Sequence, residues 1–241
     1  MRRIAILETG TPPPALADRH GDYPAMFRTL LGEGHEIEVF RSQAGEWPDP
    51  ADFDAAIITG SAAGVYEDQP WIADLLDWVR GAKGRTGLIG VCFGHQAMAE
   101  ALGGRVEKSE RGWGVGLHRY EVASTEPWMS PPAGTVAIPA SHQDQVVEKP
   151  AEARVILRSA FTPFAGLAWD DDAISLQGHP EFSPAYAADL TAGRRERIGA
   201  AVTDAALDSL ARPDDRAVIG QWLRRFIASR PRRQAVQSRA R

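Results

Sequence analysis

Residues 88–104, LIGVCFGHQAMAEALGG, constrain the fold more than any other stretch of the chain. An apolar run reaches Val91 and passes through Cys92-Phe93-Gly94. It then continues with helical spacing to Gly103-Gly104, a pair that reads as a helix C-cap. A buried strand feeding directly into a helix is the repeating unit of α/β folds. In G-x-C-x-G (Gly90, Cys92, Gly94) the small flanks permit a tight, strained turn that presents the middle side chain at the carboxyl end of the sheet. Open α/β sheets bind their ligands at that edge. The helix that follows points its free N–H groups and positive dipole end at the sulfur, which favours thiolate over thiol. The alternative for a lone cysteine is a small buried apolar residue, which would gain nothing from such a turn.

The same alternation runs through the first half. Residues 4–7 read as a short buried strand and Pro12, Pro13 and Pro14 as a loop. Asp22 is placed to cap a helix over about 24–31, which Gly32 and Gly34 end. Residues 36–40 and 53–59 read as strands, and Pro70 opens a helix with Trp71, Leu75 and Trp78 on one face, as core rather than a ligand cage. From residue 115 to 177 the pattern becomes a series of β segments. The last two, FAGLAW and AISLQ, flank three aspartates as a hairpin. A helical region follows over about 184–227, broken near Pro213.

The expected architecture is α/β: a mainly parallel central sheet with helices on both faces, a small β-rich region and a C-terminal helical extension. With no repeat and no linker, one domain over 1–241 is expected, with its core over about 4–182, the extension over about 184–229 and a basic tail over 230–241. Its 241 residues and 44% hydrophobic content suffice for such a core. The single cysteine excludes an intramolecular disulfide and suits a reducing compartment. The N-terminal apolar run ends at Glu8, short of the roughly 7–15 residues of a signal peptide. No stretch approaches the ~20 apolar residues of a membrane span, so a cytoplasmic location without membrane contact is expected. A net charge of −5 carries no nucleic-acid footprint. The run from Arg224 to Arg241 holds seven arginines and no acid, and reads as a frayed, solvated tail rather than an anionic anchor.

A cysteine nucleophile needs a base, and the histidines are His20, His35, His95, His118, His142 and His179. His95 lies on the new helix and reads as a local structural hydrogen-bonder. His179 lies in Gln177-Gly178-His179-Pro180-Glu181, directly after a strand. In an extended segment residues two apart share a side, and Pro180 holds His179 toward extended geometry. Glu181 is thereby placed to bond the imidazole, fix its tautomer and stabilise its charged form. On spacing alone, a Cys92-His179-Glu181 triad and a surface His-Pro-Glu turn stand as equal readings.

Gly90-Val91-Cys92-Phe93-Gly94-His95-Gln96, with Q-G-H-P-E downstream, resembles the class I, triad-type glutamine amidotransferases, in particular stand-alone glutaminases of the GMP-synthase kind. The resemblance implies a flavodoxin-like sheet, with Cys92 as nucleophile, His179 as base, Glu181 as its orienter and Gln96 as the glutamine of C-x-G-x-Q. Ile57-Ile58-Thr59-Gly60-Ser61 is similar to the strand-loop that supplies an oxyanion amide, and Ser141-His142-Gln143-Asp144 to the S-H-x-D substrate loop. It further implies the backbone N–H groups of Ser61 and Phe93 as oxyanion donors. Gly60, Gln96, Ser141, His142 and Asp144 are the implied substrate-binding residues.

The implied reaction is hydrolysis of the side-chain amide of glutamine, or of a γ-glutamyl compound, through a γ-glutamyl thioester, with no metal or organic cofactor. The implied partners are that small molecule and a separate ammonia-accepting synthase. Two alternatives are a γ-glutamyl peptidase or hydrolase with no acceptor, and a catalytically silent regulatory module, against which the intact Cys92, His179 and Glu181 argue. Two departures stand out. Gly60-Ser61-Ala62 replaces the Gly-Gly-Pro of many relatives, though a serine N–H serves equally. Gly178 stands where an aromatic is usual, so the wall beside the base is expected to differ in specificity. Trp113 is expected to pack.

Overall fold

Strands buried on both faces of a parallel sheet require continuous apolar runs, and the first half supplies them. In the computed structural model, which describes residues 1–231, the first half runs β1 (Arg2–Glu8), α1 (Pro14–His20), α2 (Tyr23–Leu31), β2 (His35–Arg41), β3 (Ala55–Ile58), α3 (Pro70–Ala82), β4 (Gly87–Val91) and α4 (Phe93–Ala101). Strands then dominate: β5 (Arg105–Lys108), β6 (Gly114–Val122), β7 (Thr135–His142), β8 (Asp144–Glu148), β9 (Arg154–Arg158), β10 (Gly166–Trp169) and β11 (Ala173–Leu176). The chain ends in α5 (Pro184–Gly193), α6 (Arg195–Ile198), α7 (Ala200–Leu210) and α8 (Arg216–Ser229). Most of the expected basic tail, from residue 232, lies outside the described residues. Among the described residues no helix is long and apolar enough to cross a membrane.

Nine strands form one sheet in the order β2-β1-β3-β4-β11-β10-β9-β6-β7. The strands β2, β1, β3, β4 and β11 are parallel, and β10, β9, β6 and β7 continue the sheet in antiparallel fashion. The β-rich stretch therefore extends the main sheet, and only β5 and β8 stand apart as a two-stranded ribbon. The aspartate-rich hairpin is β10–β11, with Asp172 accepting from Lys83 Nζ at 2.6 Å.

Alternate residues of each strand feed opposite faces. Ile4, Ile6, Ile57 and Ile89 join Phe27, Trp222 and Phe226 of α2 and α8 on one side. Ala5, Leu7, Ile58 and Leu88 join Trp71 and Leu75 of α3, and Phe93 and Met98 of α4, on the other. The result is a mainly parallel central sheet with helices on both faces. Trp222 and Phe226 are 2% and 0% exposed, so α8 supplies core, while α5 packs against α7 and β7, and α7 against β6.

Local signals explain most boundaries. Asp22 caps α2 by accepting from the Ala25 N–H at 2.7 Å, and Gly32 at φ 73° closes it. Helix α1 occupies part of the stretch read as a proline loop. Pro14 stands at its first position, where a missing N–H costs nothing. The C-terminal helical region breaks twice, at Arg194 and Gly199, before the break expected near Pro213.

Candidate active site

Cys92 occupies the turn between β4 and α4 at φ 53° and ψ −103°, one of two described non-glycine residues with positive φ. Such a conformation costs on the order of 1–3 kcal/mol and persists where its surroundings enforce it. Here a Cβ at Gly90 would lie 2.5 Å from the Gly94 carbonyl oxygen, and one at Gly94 would lie 2.3 Å from that of Ile58. Only glycine at both positions lets the turn close against β3. The Cys92 N–H donates to the Leu176 carbonyl at 2.8 Å, and the Gly94 N–H to that of Thr59 at 3.1 Å. The turn is thus pinned to the strand on either side, with the Cys92 side chain on the floor of a cleft.

The same edge delivers the histidine. Strands β4 and β11 are parallel neighbours, with Val91 opposite Leu176, and the chain leaving β11 reaches His179 three residues later. The His179 N–H donates to the Pro139 carbonyl at 2.8 Å, fixing this loop to β7. One ring nitrogen, Nδ1, lies 2.7 Å from Glu181 Oε1, and the ring also hydrogen-bonds the Cys92 side chain. Burial opposes charging the imidazole, but the Glu181 carboxylate and the Cys92 sulfur outweigh it and raise the His179 pKa to about 10. Phe182 lies flat on the His179 ring, with centroids 3.8 Å apart and planes 7° apart. Tyr23 and Tyr186 back Phe182 in turn.

The loop after β3 forms the facing wall. A Cβ at Gly60 would lie 3.1 Å from His179 Cε1 and 3.8 Å from Cys92 Cβ, which places this backbone directly over the pair. Thr9 holds it from behind, its hydroxyl donating to the Thr59 carbonyl at 3.0 Å, and Gly10 lets Ser61 approach closely. The Cys92 N–H is committed to Leu176, while Ser61 lines the cleft with Cys92. Phe93 is the first residue of α4, where helix N–H groups lack intrahelical partners.

The cleft offers about 210 Å³ of water-accessible space. It brings together Gly60, Ser61, Cys92, Gln96, Ser141, His142, Asp144 and His179 from distant parts of the chain. Phe93 is buried beneath it, against Trp71. Gln96 Nε2 donates to the Asp144 carbonyl at 2.9 Å and to Gln177 Oε1 at 3.2 Å, tying α4 to the 141–144 loop. Asp144 Oδ1 accepts from Tyr66 at 3.1 Å, and burial raises its carboxyl above the ordinary range. His142 is held neutral by burial, its pKa lowered to about 3. His95 is likewise buried and lowered to about 3, and shares a 2.7 Å hydrogen bond with Ser175 Oγ.

Some contributors carried no local signal. Phe182 follows Glu181 directly and precedes Ser183, the N-cap of α5, and nothing in its own sequence context marks it as a partner of the imidazole. Tyr66 reaches the cleft from an exposed loop, and Arg194 and Arg197 reach it from the C-terminal helices. Trp113 packs under the Arg197 guanidinium, 5.5 Å away, yet that pair lines the cleft. At Gly178, where the wall beside the base is expected to differ, Ile138 packs close: a Cβ there would lie 2.8 Å from Ile138 Cδ1.

The family model for class-I glutamine amidotransferases matches residues 24–189. The chain is 30% identical over 190 residues to "Gamma-glutamyl peptidase 4" of Arabidopsis thaliana, covering 74% of this chain and 75% of the relative. It is 35% identical over 130 residues to a glutamine-hydrolysing GMP synthase of Thermomicrobium roseum, covering 52% of this chain and 23% of that protein. Among solved structures, a glutamine amidotransferase from Thermotoga maritima superposes with a TM-score of 0.76 at 17% identity, covering 95% of this chain and 99% of the other. A glutamine amidotransferase from Methylobacillus flagellatus gives 0.70 at 22% identity, covering 95% and 93%. These similarities and the cysteine turn agree, and the chain belongs to the class I glutamine amidotransferase family.

Proposed function

We propose that this protein hydrolyses γ-glutamyl amides, glutamine or a γ-glutamyl compound, with Cys92 as nucleophile, His179 as acid and base, and Glu181 as its orienter. The observation that carries this reading is the strained Cys92 turn in hydrogen-bond contact with a buried His179, which in turn bonds Glu181. The Cys92 sulfur attacks the γ-carbonyl carbon, and the carbonyl electrons move onto oxygen, which the N–H groups of Phe93 and Ser61 receive. Donors of this kind are each worth ~3 kcal/mol of barrier. As the C–N bond breaks, His179 delivers a proton to the departing amine, leaving a γ-glutamyl thioester. His179 then takes a proton from water, whose oxygen attacks the thioester carbon. The C–S bond breaks, and glutamate leaves. Gln96 and Asp144, joined by a hydrogen bond, hold the amino-acid end.

A second reading, ammonia delivery to a separate synthase, is favoured by the similarity to the glutaminase-sized quarter of a GMP synthase. The peptidase-type relative, matched over three quarters of both chains, favours hydrolysis without an acceptor. The test is amide hydrolysis by the purified protein alone. Release of glutamate from glutamine or a γ-glutamyl dipeptide, abolished in Cys92→Ser, supports the proposal; no release of glutamate by the folded wild type would overturn it.

A further inference from the structure

Three arginines cluster where α5 gives way to α6, and their pairing separates them. Arg195 points outward to a bidentate ion pair with Asp204, at 2.6 and 3.1 Å. Arg194 and Arg197 line the cleft instead, and among the described residues neither has a carboxylate within ion-pair distance. Arg194 is the junction residue between α5 and α6, and Arg197 lies within α6. Arg194 Nη1 donates to Ser141 Oγ at 2.9 Å, which aims the guanidinium across the cleft and leaves the rest of its five-donor fork for another acceptor. Arg197 lies over Trp113, a flat support for a planar cation.

Arg194 stands near the histidine's side of the cleft, and Arg197 lines the same cleft against Trp113. The Arg194 charge acts on Tyr23 and Tyr186, the rings that back Phe182 against His179. The acidic groups Glu67 and Asp144 line the cleft with Tyr66, whose hydroxyl bonds Asp144. In the reaction proposed above, the group that faces His179 is the departing amine. In a γ-glutamyl amino acid that amine bears a carboxylate one carbon away, and in glutamine it bears nothing.

We infer that Arg194 and Arg197 form an anion subsite for a carboxylate on the amine side of the scissile bond, so that the enzyme selects γ-glutamyl amino acids or peptides with a short, acid-bearing leaving group over glutamine. The inference rests on the hydrolytic reading above. Paired guanidinium donors meet a carboxylate with charge-assisted geometry, and the contact is made before and during the reaction alike, so its effect falls on KM.

The test compares γ-glutamylglycine with γ-glutamylglycinamide, which differ only in that carboxylate. The wild type should favour the acid by about 10- to 100-fold in kcat/KM, the span expected of one charge-assisted pair. In Arg194→Gln/Arg197→Gln this preference should fall below about threefold, through a raised KM for the acid, and Arg194→Lys should restore part of it. Each variant is checked for a native thermal transition, and the wild-type ratio decides alone if one fails to fold. Equal turnover of both substrates by the wild type overturns the subsite and leaves amide hydrolysis standing. A preference that the variants leave unchanged, or an equal loss on both substrates, also overturns it, the latter by assigning the arginines to the glutamyl carboxylate. No turnover of either substrate by the folded wild type overturns the subsite and the hydrolytic reading together.

Discussion

Glu181 Oε1 lies 2.7 Å from His179 Nδ1, two residues back along the chain, and the two side chains are 1% and 4% exposed. A carboxylate and an imidazole this deeply buried stabilise each other only as a pair, and removing one leaves the other unsatisfied. The carboxylate fixes which ring nitrogen is free to face Cys92, and in the proposed mechanism it transfers no proton.

The two residues should therefore differ in mutational cost. His179→Ala is expected to lower kcat by about 10³-fold or more, and Glu181→Gln by about 10²-fold, because a glutamine oxygen still accepts from Nδ1. Steady-state glutamate release checks this; a Glu181→Gln enzyme as dead as His179→Ala would contradict the division of roles.

Cys92→Ser should abolish turnover with the thermal transition nearly unchanged, since one atom differs at an unaltered turn. An alkylating glutamine analogue should add one label per wild-type chain, mapped by mass spectrometry to the peptide containing Cys92. Full turnover in Cys92→Ser, or a label elsewhere, would remove this residue from the mechanism.

Stability should fall on both sides of neutrality. The His179 pKa is raised from 6.5 to about 10 in the folded state, so its contribution is complete below about pH 6.5 and is lost as pH rises toward 10. His95 and His142 are lowered to about 3 by burial. The unfolded chain therefore takes up protons that the folded chain refuses as pH falls from 6.5 toward 3, and stability declines there too. Tm measured against pH should show both arms, and Glu181→Gln should flatten the alkaline one. A wild-type Tm constant from pH 7 to 10 would contradict the His179 assignment.

The glycines of the turn should resist enlargement. A Cβ at Gly94 or Gly90 meets backbone oxygen at 2.3 or 2.5 Å, so each alanine variant should lose about 1–3 kcal/mol and most of its turnover. Gly81, exposed on α3 with nothing within 4 Å of its added Cβ, should gain about 0.5–1 kcal/mol as alanine. Denaturant midpoints decide between these outcomes.

What could be read from the residues followed from how local each constraint is. β1, β3 and β4 announce themselves because strands buried on both faces must be apolar throughout, and Gly90-x-Cys92-x-Gly94 marks its own turn. The His179–Glu181 contact follows from a period of two and one proline. Helix α1 was hidden because three consecutive prolines suggest a loop, although the last of them suits a helix start. β5 and β8, charged and short, had no period to display. That β6, β7, β9 and β10 would extend the main sheet is a matter of ladder pairing, which alternation does not specify. Arg194 and Arg197 look like Arg195 in the sequence, and only Asp204, brought in by α7, separates them.

The adjacency of β4 and β11 has a consequence for the timing of assembly. Their ladder joins Leu88–Val91 to Ala173–Leu176, with the whole of residues 92–172 looped out between them. Contacts so distant in sequence form late, after the entropy of closing the intervening chain has been met. Cys92 and His179 are held together across that ladder, so in the proposed mechanism the pair is assembled only by completion of the sheet. During synthesis Cys92 emerges well before His179, and the two meet only when β11 locks beside β4.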